Sequence, residues 1–214
     1  AFGPDNNGDG VSDRILYSAD FSSDRDGTAD DVDGHGSNVA SIIVSSHGDY
    51  PGVAPEADVI GLQVLSNNGT GSSRGIESGL QWVIENANSY NIVAVNMSLG
   101  EENNHSQHRD HPVFHDELTI LKDMGIITLV AAGNDYYGYQ AAGVGAPASD
   151  PHVIPVGAVW KDNFGPISSK DGAKQHSTAA DHVTMFSQRS VKSEDGTAGL
   201  DVVFAQGAFI DGAK

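Results

Sequence analysis

The sequence contains no cysteine among its 214 residues, which excludes disulfide bonds and thiol chemistry. Basic residues are also few: 11 Lys and Arg stand against 29 Asp and Glu, a formal net charge of −18 at pH 7. Such a charge repels phosphates, so we expect neither nucleic acid nor an anionic membrane surface as a partner. No apolar run is long enough to cross a bilayer, and the N-terminus lacks the basic and apolar regions of a signal peptide.

The residues that are present suit one folded domain over residues 1–214, because 38% of them are hydrophobic and this length allows a sizeable core. Compact β-branched apolar runs are typical of buried parallel strands, and they occur at residues 57–65, 92–97, 126–131 and 153–159. Amphipathic patterns at residues 72–88 and 112–124 predict helices that pack on the sheet. We therefore predict an α/β fold with a mostly parallel sheet.

The most informative stretch is residues 33–44, in which His35 lies between two glycines. Apolar residues follow at helical spacing, namely Val39, Ile42 and Ile43. This pattern predicts a tight turn that delivers His35 to the start of a buried helix, and the glycines allow backbone or substrate to approach the ring. Imidazole is the commonest general base because its pKa lies near neutrality. Taken alone, the segment also fits a turn histidine beside a helix cap.

Four further motifs follow His35 in order: Gly-Val-Ala-Pro at 52–55, Asn-Met-Ser-Leu-Gly at 96–100, Val-Ala-Ala-Gly-Asn at 130–134 and Val-Gly-Ala-Val at 156–159. This succession closely resembles the subtilisin-like serine proteases of the subtilase family, whose patterns are GHGTHVAG, GVAP, NMSLG, VAAAGN and VGAV. Several motifs in one order are far more specific than any one of them. The resemblance covers essentially the whole chain. It implies a three-layer α/β fold with a mostly parallel central sheet, whose last strands correspond to residues 184–187 and 201–205.

The resemblance also implies a secreted serine endopeptidase that hydrolyses polypeptides. His35 would be its general base, and the Asn134 amide would stabilise the oxyanion of the tetrahedral intermediate. The remaining implied residues bind substrate: Ser98, Leu99, Gly100, Ala131, Ala132 and Gly133. The first three follow a predicted strand at its carboxyl end, where α/β sheets bind ligands, and their main chain would pair with the substrate backbone.

Two parts of the family's triad are missing from this chain. No Asp-Ser/Thr-Gly motif precedes His35, and Asp5 has no apolar strand before it. No Gly-Thr-Ser motif follows, since residues 196–198 are Gly-Thr-Ala. We therefore expect an interior portion of a peptidase domain, incomplete at both ends, that depends on the remaining segments of the same domain and is inactive alone. A non-catalytic relative that binds peptides or serves as a scaffold is the alternative.

Two acidic segments share the alternating oxygen side chains and turn glycine of a calcium loop. The first offers Asp5, Asn7, Asp9 and Asp13, and the second offers Asp24, Asp26 and Asp30. A complete EF-hand loop would end in Glu, but the matching position of the first segment is Leu16. Structural calcium is therefore one prediction, in which the chain is calcium-stabilised, and a solvated acidic turn is the other.

Histidines also cluster after the strand at residues 92–97, at positions 105, 108, 111 and 115. Such a cluster could bind a metal, but its spacing is irregular. The polar segment is more typical of a surface loop that enters a helix.

Overall fold

The computed structural model describes residues 2–24, 28–169, 172–190 and 200–208. It divides into two compact units, Ala1–Trp82 and Val83–Ile210. That residues 1–214 form one domain stays a prediction. Within the described part of the chain, no helix combines the length and the apolar character that a membrane span requires.

The first unit contains two parallel strands with a helix between them in sequence. Strand β1 (Ile15–Asp20) pairs with strand β2 (Val59–Gln63), and helix α1 (His35–Val44) connects them along the chain. Helix α2 (Ser73–Tyr90) begins in this unit. Its Trp82 stacks on Tyr17 of β1 with ring centroids 4.6 Å apart, a contact worth about 0.5–1.5 kcal/mol beyond its buried area.

Helix α1 is less buried than its apolar spacing predicts. Its buried residues are Ser41 and Val44, whereas Ile43 is 37% exposed. The Gly-Val-Ala-Pro segment folds back on the end of this helix, where the backbone N–H groups of residues 52–54 donate to the carbonyls of residues 45, 42 and 43 at 2.7–3.1 Å. A Cβ at Gly52 would lie 2.5 Å from the Ser45 nitrogen, so only glycine permits this approach. The motif thus satisfies the free carbonyls at the end of α1.

The second unit contains a four-stranded parallel sheet. Strands β3 (Ala94–Met97), β4 (Ile127–Ala131) and β5 (Ile154–Trp160) pair in that order. After a short antiparallel pair, β6 (Ile167–Ser168) with β7 (Lys174–Gln175), strand β8 (Val203–Ala208) joins the sheet beside β5. The strands predicted at 92–97, 126–131, 153–159 and 201–205 are therefore confirmed within a few residues.

The strand suggested for residues 184–187 was wrong, because these residues form no strand. Backbone pairing with β5 stops at Thr184, whose N–H donates to the Ala158 carbonyl at 3.0 Å. Side chains make the next contacts: the Ala158 N–H donates to Ser187 Oγ at 2.9 Å, and the Ser187 N–H donates to Thr184 Oγ1 at 3.2 Å. Hydroxyl oxygens that accept backbone N–H groups compete with regular pairing in this way.

Helix α3 (His115–Asp123) supplies the core of the second unit, as its apolar spacing predicts. Phe114, Leu118 and Leu121 are fully buried, and each contributes about 1.5–3 kcal/mol by burial. The helix ends at Gly125, whose φ of +78° suits glycine. The N–H groups of Gly125 and Ile126 donate to the carbonyls of residues 122 and 121, the Schellman arrangement that terminates helices.

Candidate active site

A glycine turn places the candidate base at the start of α1. Gly34 has a φ of +87°, and its carbonyl accepts a hydrogen bond from the Asn38 N–H at 3.1 Å. A Cβ at Gly34 would meet nothing within 4 Å, so the backbone angle rather than the available space favours glycine here. His35 is the first residue of α1 and is exposed, which leaves its imidazole accessible to solvent.

Asp31 fastens this turn. Its Oδ1 accepts a hydrogen bond from the Gly34 N–H at 2.9 Å, and its Oδ2 accepts one from the Ser37 N–H at 2.6 Å. Partial burial opposes ionisation, but the hydrogen bonds from Ser37 and Gly34 and the nearby His35 charge outweigh it and lower the pKa of Asp31. The predicted site did not include Asp31. The capping rule concerns the residue directly before a helix, which here is Gly34, so the sequence offered no specific signal for Asp31.

The predicted substrate-binding tripeptide directly follows β3. Ser98 and Leu99 are half-buried, and Gly100 is exposed. The Asn96 side chain donates from Nδ2 to Ser98 Oγ at 3.0 Å, which orients the start of the tripeptide. At its other end, the backbone N–H of residue 101 donates to the Ala146 carbonyl at 2.8 Å. Hydrogen bonds therefore hold the tripeptide at both ends.

The second predicted segment, residues 131–134, emerges at the same edge. The register of β3 on β4 places Met97 opposite Val130, so the residues that follow each strand leave the sheet side by side. Ala131 ends β4, and Ala132 is 1% exposed, whereas Asn134 is exposed. Asn134 thus lies three residues beyond the carboxyl end of β4, the strand that neighbours β3.

Gln188 controls the turn before Asn134. Gly133 has a φ of +110°, and its carbonyl accepts a hydrogen bond from the Gln188 N–H at 2.8 Å. The Gln188 side chain is buried beneath the turn, where Nε2 donates to the Asn103 carbonyl at 3.0 Å and to Asn104 Oδ1 at 2.8 Å. Sequence patterns offered no signal for Gln188, because it lies 55 residues beyond Gly133 and outside every motif.

His35 belongs to the first unit, whereas Asn134 and the predicted substrate-binding residues belong to the second. That the base meets the oxyanion group stays a prediction.

In the first acidic segment, the side-chain oxygens accept hydrogen bonds from backbone N–H groups of the same segment. Asp5 accepts hydrogen bonds from Gly8 and Gly10 at 2.7 and 2.9 Å, and Asp13 accepts one from the Asn6 N–H at 3.2 Å. The amide of Asn7 and the carboxylate of Asp9 also accept backbone N–H groups. In the described part of the chain, no three carboxylates of this segment come within 4.8 Å of one another.

The second acidic segment is described in part, since Asp26 lies outside the described residues. Asp24 Oδ2 accepts a hydrogen bond from the Asn67 N–H at 2.6 Å. The Asp30 carbonyl accepts one from the Val32 N–H at 3.0 Å. Asp24 therefore holds the backbone at Asn67. Calcium binding at either segment stays a prediction.

Comparison with known proteins decides the family. The model of the subtilase family of peptidases matches residues 5–212. The chain belongs to the subtilase family. Its relatives include the Minor extracellular protease Epr of Bacillus subtilis, 35% identical over 135 residues, which are 62% of this subtilase chain and 19% of Epr. A Cuticle-degrading serine protease of Arthrobotrys oligospora is 36% identical over 138 residues, 64% of this chain and 30% of that protein.

The fold is confirmed by a solved structure, that of Sphericase. It matches this subtilase chain with a TM-score of 0.65 and 19% identity, covering 94% of this chain and 63% of Sphericase. The predicted three-layer α/β subtilisin-like fold with a parallel central sheet is therefore correct. The subtilase chain spans less than a third of the two sequence relatives and less than two thirds of Sphericase.

Proposed function

We propose that this chain carries the general base, the oxyanion-stabilising amide and the substrate-binding edge of a secreted serine endopeptidase. The complete protein would hydrolyse peptide bonds by a Ser-His-Asp triad, in which other segments of the same domain supply the acid and the nucleophile. The observation that carries this proposal is the shared sheet edge at which Ser98–Gly100 and Ala131–Asn134 emerge side by side. Membership of the subtilase family supports the reaction class, and the relative named as extracellular supports secretion.

Each group has a separate task in the reaction. A polypeptide binds along residues 98–100 by main-chain hydrogen bonds, which give affinity with little regard to sequence. His35 accepts the proton of the serine hydroxyl as the serine oxygen bonds to the scissile carbonyl carbon. The carbonyl oxygen gains negative charge, and the Asn134 amide donates a hydrogen bond to it. His35 then gives its proton to the leaving amine, and water releases the acyl group by the same steps in turn.

Active-site labelling tests the base. In the complete protein, His35→Ala should abolish labelling of the nucleophilic serine by a fluorophosphonate, because the hydroxyl loses its proton acceptor. The matched control is His108→Ala, which changes an exposed histidine of the second unit. Unchanged labelling of His35→Ala would remove His35 from the base role.

Steady-state kinetics test the oxyanion group. Asn134→Ala should lower kcat by about 10²–10³ with little change in KM, the loss known from subtilisin itself when its oxyanion asparagine is removed. Asn88→Ala, an exposed asparagine on α2, is the matched control. A fall in kcat/KM that comes from KM alone would assign Asn134 to substrate binding instead.

A non-catalytic peptide-binding or scaffold role is the second candidate. It is favoured by one observation, that the 214 residues contain neither an Asp-Ser/Thr-Gly nor a Gly-Thr-Ser motif. Sequencing the reading frame on both sides separates the two candidates. An acid motif upstream and a serine motif downstream support the peptidase, and their absence supports the binding protein.

We further propose that calcium stabilises the acidic segments. The side chains of Asp5, Asn7, Asp9 and Asp13 supply the oxygen ligands that calcium prefers, but their carboxylates do not converge in the structure, so binding would require the loop to rearrange. Calorimetric titration with calcium tests this proposal on the wild type, on Asp9→Ala and on Asp26→Ala. Loss of the heat in Asp9→Ala supports the first segment, and loss in Asp26→Ala supports the second. No heat with the wild type would refute both.

A further inference from the structure

Three side chains from two separate stretches of the second unit converge beside α3. His115 is the first residue of α3, whereas Asp150 and His152 lie just before β5. One ligand atom from each lies within 4.8 Å of those from the other two. Among the residues that the structure describes, no other group of three His, Cys, Asp or Glu side chains is so closely gathered.

The distances within this cluster suit a small cation. His115 Nδ1 lies 2.8 Å from Asp150 Oδ2, and His152 Nδ1 lies 3.7 Å from Asp150 Oδ1. In a tetrahedral zinc site, bonds of about 2.0–2.1 Å place neighbouring ligand atoms about 3.3 Å apart. The 3.7 Å separation is close to that value, and the 2.8 Å contact is a direct hydrogen bond that a bound ion would replace. The imidazole rings face each other with centroids 5.0 Å apart and an interplanar angle of 28°, so both histidines lie on the same side of the cluster.

The carboxylate at the centre is buried and held in place by backbone groups. Asp150 has no exposed side-chain surface. Its Oδ2 accepts a hydrogen bond from the His111 N–H at 3.0 Å, and its Oδ1 accepts one from the His152 N–H at 3.0 Å. Outer hydrogen bonds of this kind orient metal ligands. The side chains of His115 and His152 are 31% and 20% exposed, so an ion reaches the cluster from solvent.

The surroundings also favour a cation. Thr119 Oγ1 lies 3.0 Å from His152 Nδ1 and donates to the His115 carbonyl at 2.9 Å, which fixes the His152 ring relative to α3. Asp110 Oδ1 lies 3.8 Å from His115 Nδ1 on the solvent side. Two acidic residues in the first turn of α3, Asp116 and Glu117, offset the positive end of the helix.

We propose that His115, Asp150 and His152 bind a divalent cation of the Zn²⁺ class, with the fourth position taken by water or by Asp110. Two imidazoles and one carboxylate suit zinc, whereas calcium prefers oxygen ligands alone. The bound ion would fasten the start of α3 to the turn before β5 and would stabilise the folded protein by mass action. This site is separate from both acidic segments and is independent of the proposed peptidase activity.

Zinc titration tests the proposal. Calorimetry on the full chain should show one tight equivalent of Zn²⁺. His152→Gln and His115→Gln keep a polar side chain but lose the imidazole. Each should raise the Zn²⁺ dissociation constant by at least about 10-fold, since even the loss of a group that hydrogen-bonds to a metal ligand costs that much. The matched control is His108→Gln, at an exposed histidine, which should titrate like the wild type. Circular dichroism without metal checks that each variant is folded.

Cobalt provides a second readout, because Co²⁺ at a tetrahedral site absorbs visible light strongly and hydrated Co²⁺ does not. That absorption should appear with the wild type and with His108→Gln, and it should be lost in His152→Gln. Equal zinc affinities for the wild type and His152→Gln would overturn the proposal. So would an equal loss in His108→Gln, which would indicate nonspecific binding by surface histidines.

Discussion

Gly133→Ala is expected to destabilise the protein severely, because the turn between β4 and Asn134 has room for no side chain. The φ of +110° at Gly133 is a conformation that residues with a Cβ rarely adopt, which costs about 1–3 kcal/mol. The new Cβ would also clash with the Gln188 side chain, whose amide is held by two hydrogen bonds and is 1% exposed. Overpacking of this kind costs about 1–3 kcal/mol.

Together these two costs amount to about 2–6 kcal/mol, against a total stability of about 5–15 kcal/mol for a typical protein. For a chain of this size, the lower figure corresponds to a fall in Tm of at least about 4 °C. Thermal and urea denaturation followed by circular dichroism would measure the effect. The matched control is Gly138→Ala, in helix α4 (Tyr136–Tyr139), where a Cβ meets nothing within 4 Å and which should change stability little.

A double-mutant cycle separates the two costs. Gln188→Ala removes the group that the new Cβ would meet, so Gly133→Ala should cost about 1–3 kcal/mol less in that background than in the wild type. The backbone cost would remain. A loss below about 0.5 kcal/mol for Gly133→Ala, or additive effects of the two substitutions, would refute the steric reasoning.

Three further predictions concern other parts of the fold. Leu118→Ala should lower the free energy of unfolding by about 2–5 kcal/mol in urea denaturation, because Leu118 is fully buried, and a loss below about 1 kcal/mol would contradict the packing of α3. Trp160→Phe should lower the free energy of unfolding by about 1–3 kcal/mol in the same assay, because Gln175 Oε1 would lose the indole N–H that donates to it at 2.9 Å. Equal stability would show that this hydrogen bond contributes nothing. Asp31→Ala should cost about 0.5–2 kcal/mol at pH 7 through the lost cap at Ser37. Folding lowers the pKa of Asp31, so its contribution to stability is full above the unfolded-state pKa of about 3.9 and is lost as the pH falls through the folded-state pKa. The difference in unfolding free energy between wild type and variant should therefore shrink below about pH 4. A difference that stays constant with pH would contradict this role.

Local patterns predicted most of the fold because its elements are strongly periodic. The buried face of α3 follows from its apolar spacing, and three strands of the second unit follow from short β-branched runs, whereas the fourth, β8, was expected only from the family resemblance. The expected burial of α1 was wrong at Ile43, which is 37% exposed, because the buried face of this helix is offset from its apolar positions. The carbonyls of Ile42 and Ile43 accept hydrogen bonds from residues 53 and 54, and the interior-facing positions went to Ser41 and Val44.

Residues that no motif contains are the part of the site that sequence reasoning missed. Gln188 supports Gly133 from 55 positions away, and the His115 cluster is completed by Asp150 and His152 from more than 30 positions away. Chain topology alone brings such residues together, so neither periodicity nor spacing reveals them. The run of histidines at 105–115 drew attention to His115, but its partners lie elsewhere.

The predicted substrate-binding edge depends on a segment without a functional motif. Residues 144–146 bond to the chain after both strands: the Gly145 N–H donates to the Ala132 carbonyl at 2.9 Å, the Ala146 carbonyl accepts from residue 101 at 2.8 Å, and Val144 exchanges two hydrogen bonds with His105. These are main-chain bonds, which many different side chains permit. The motifs mark where the strands end, and the geometry of that edge is set by backbone pairing that a motif search does not detect.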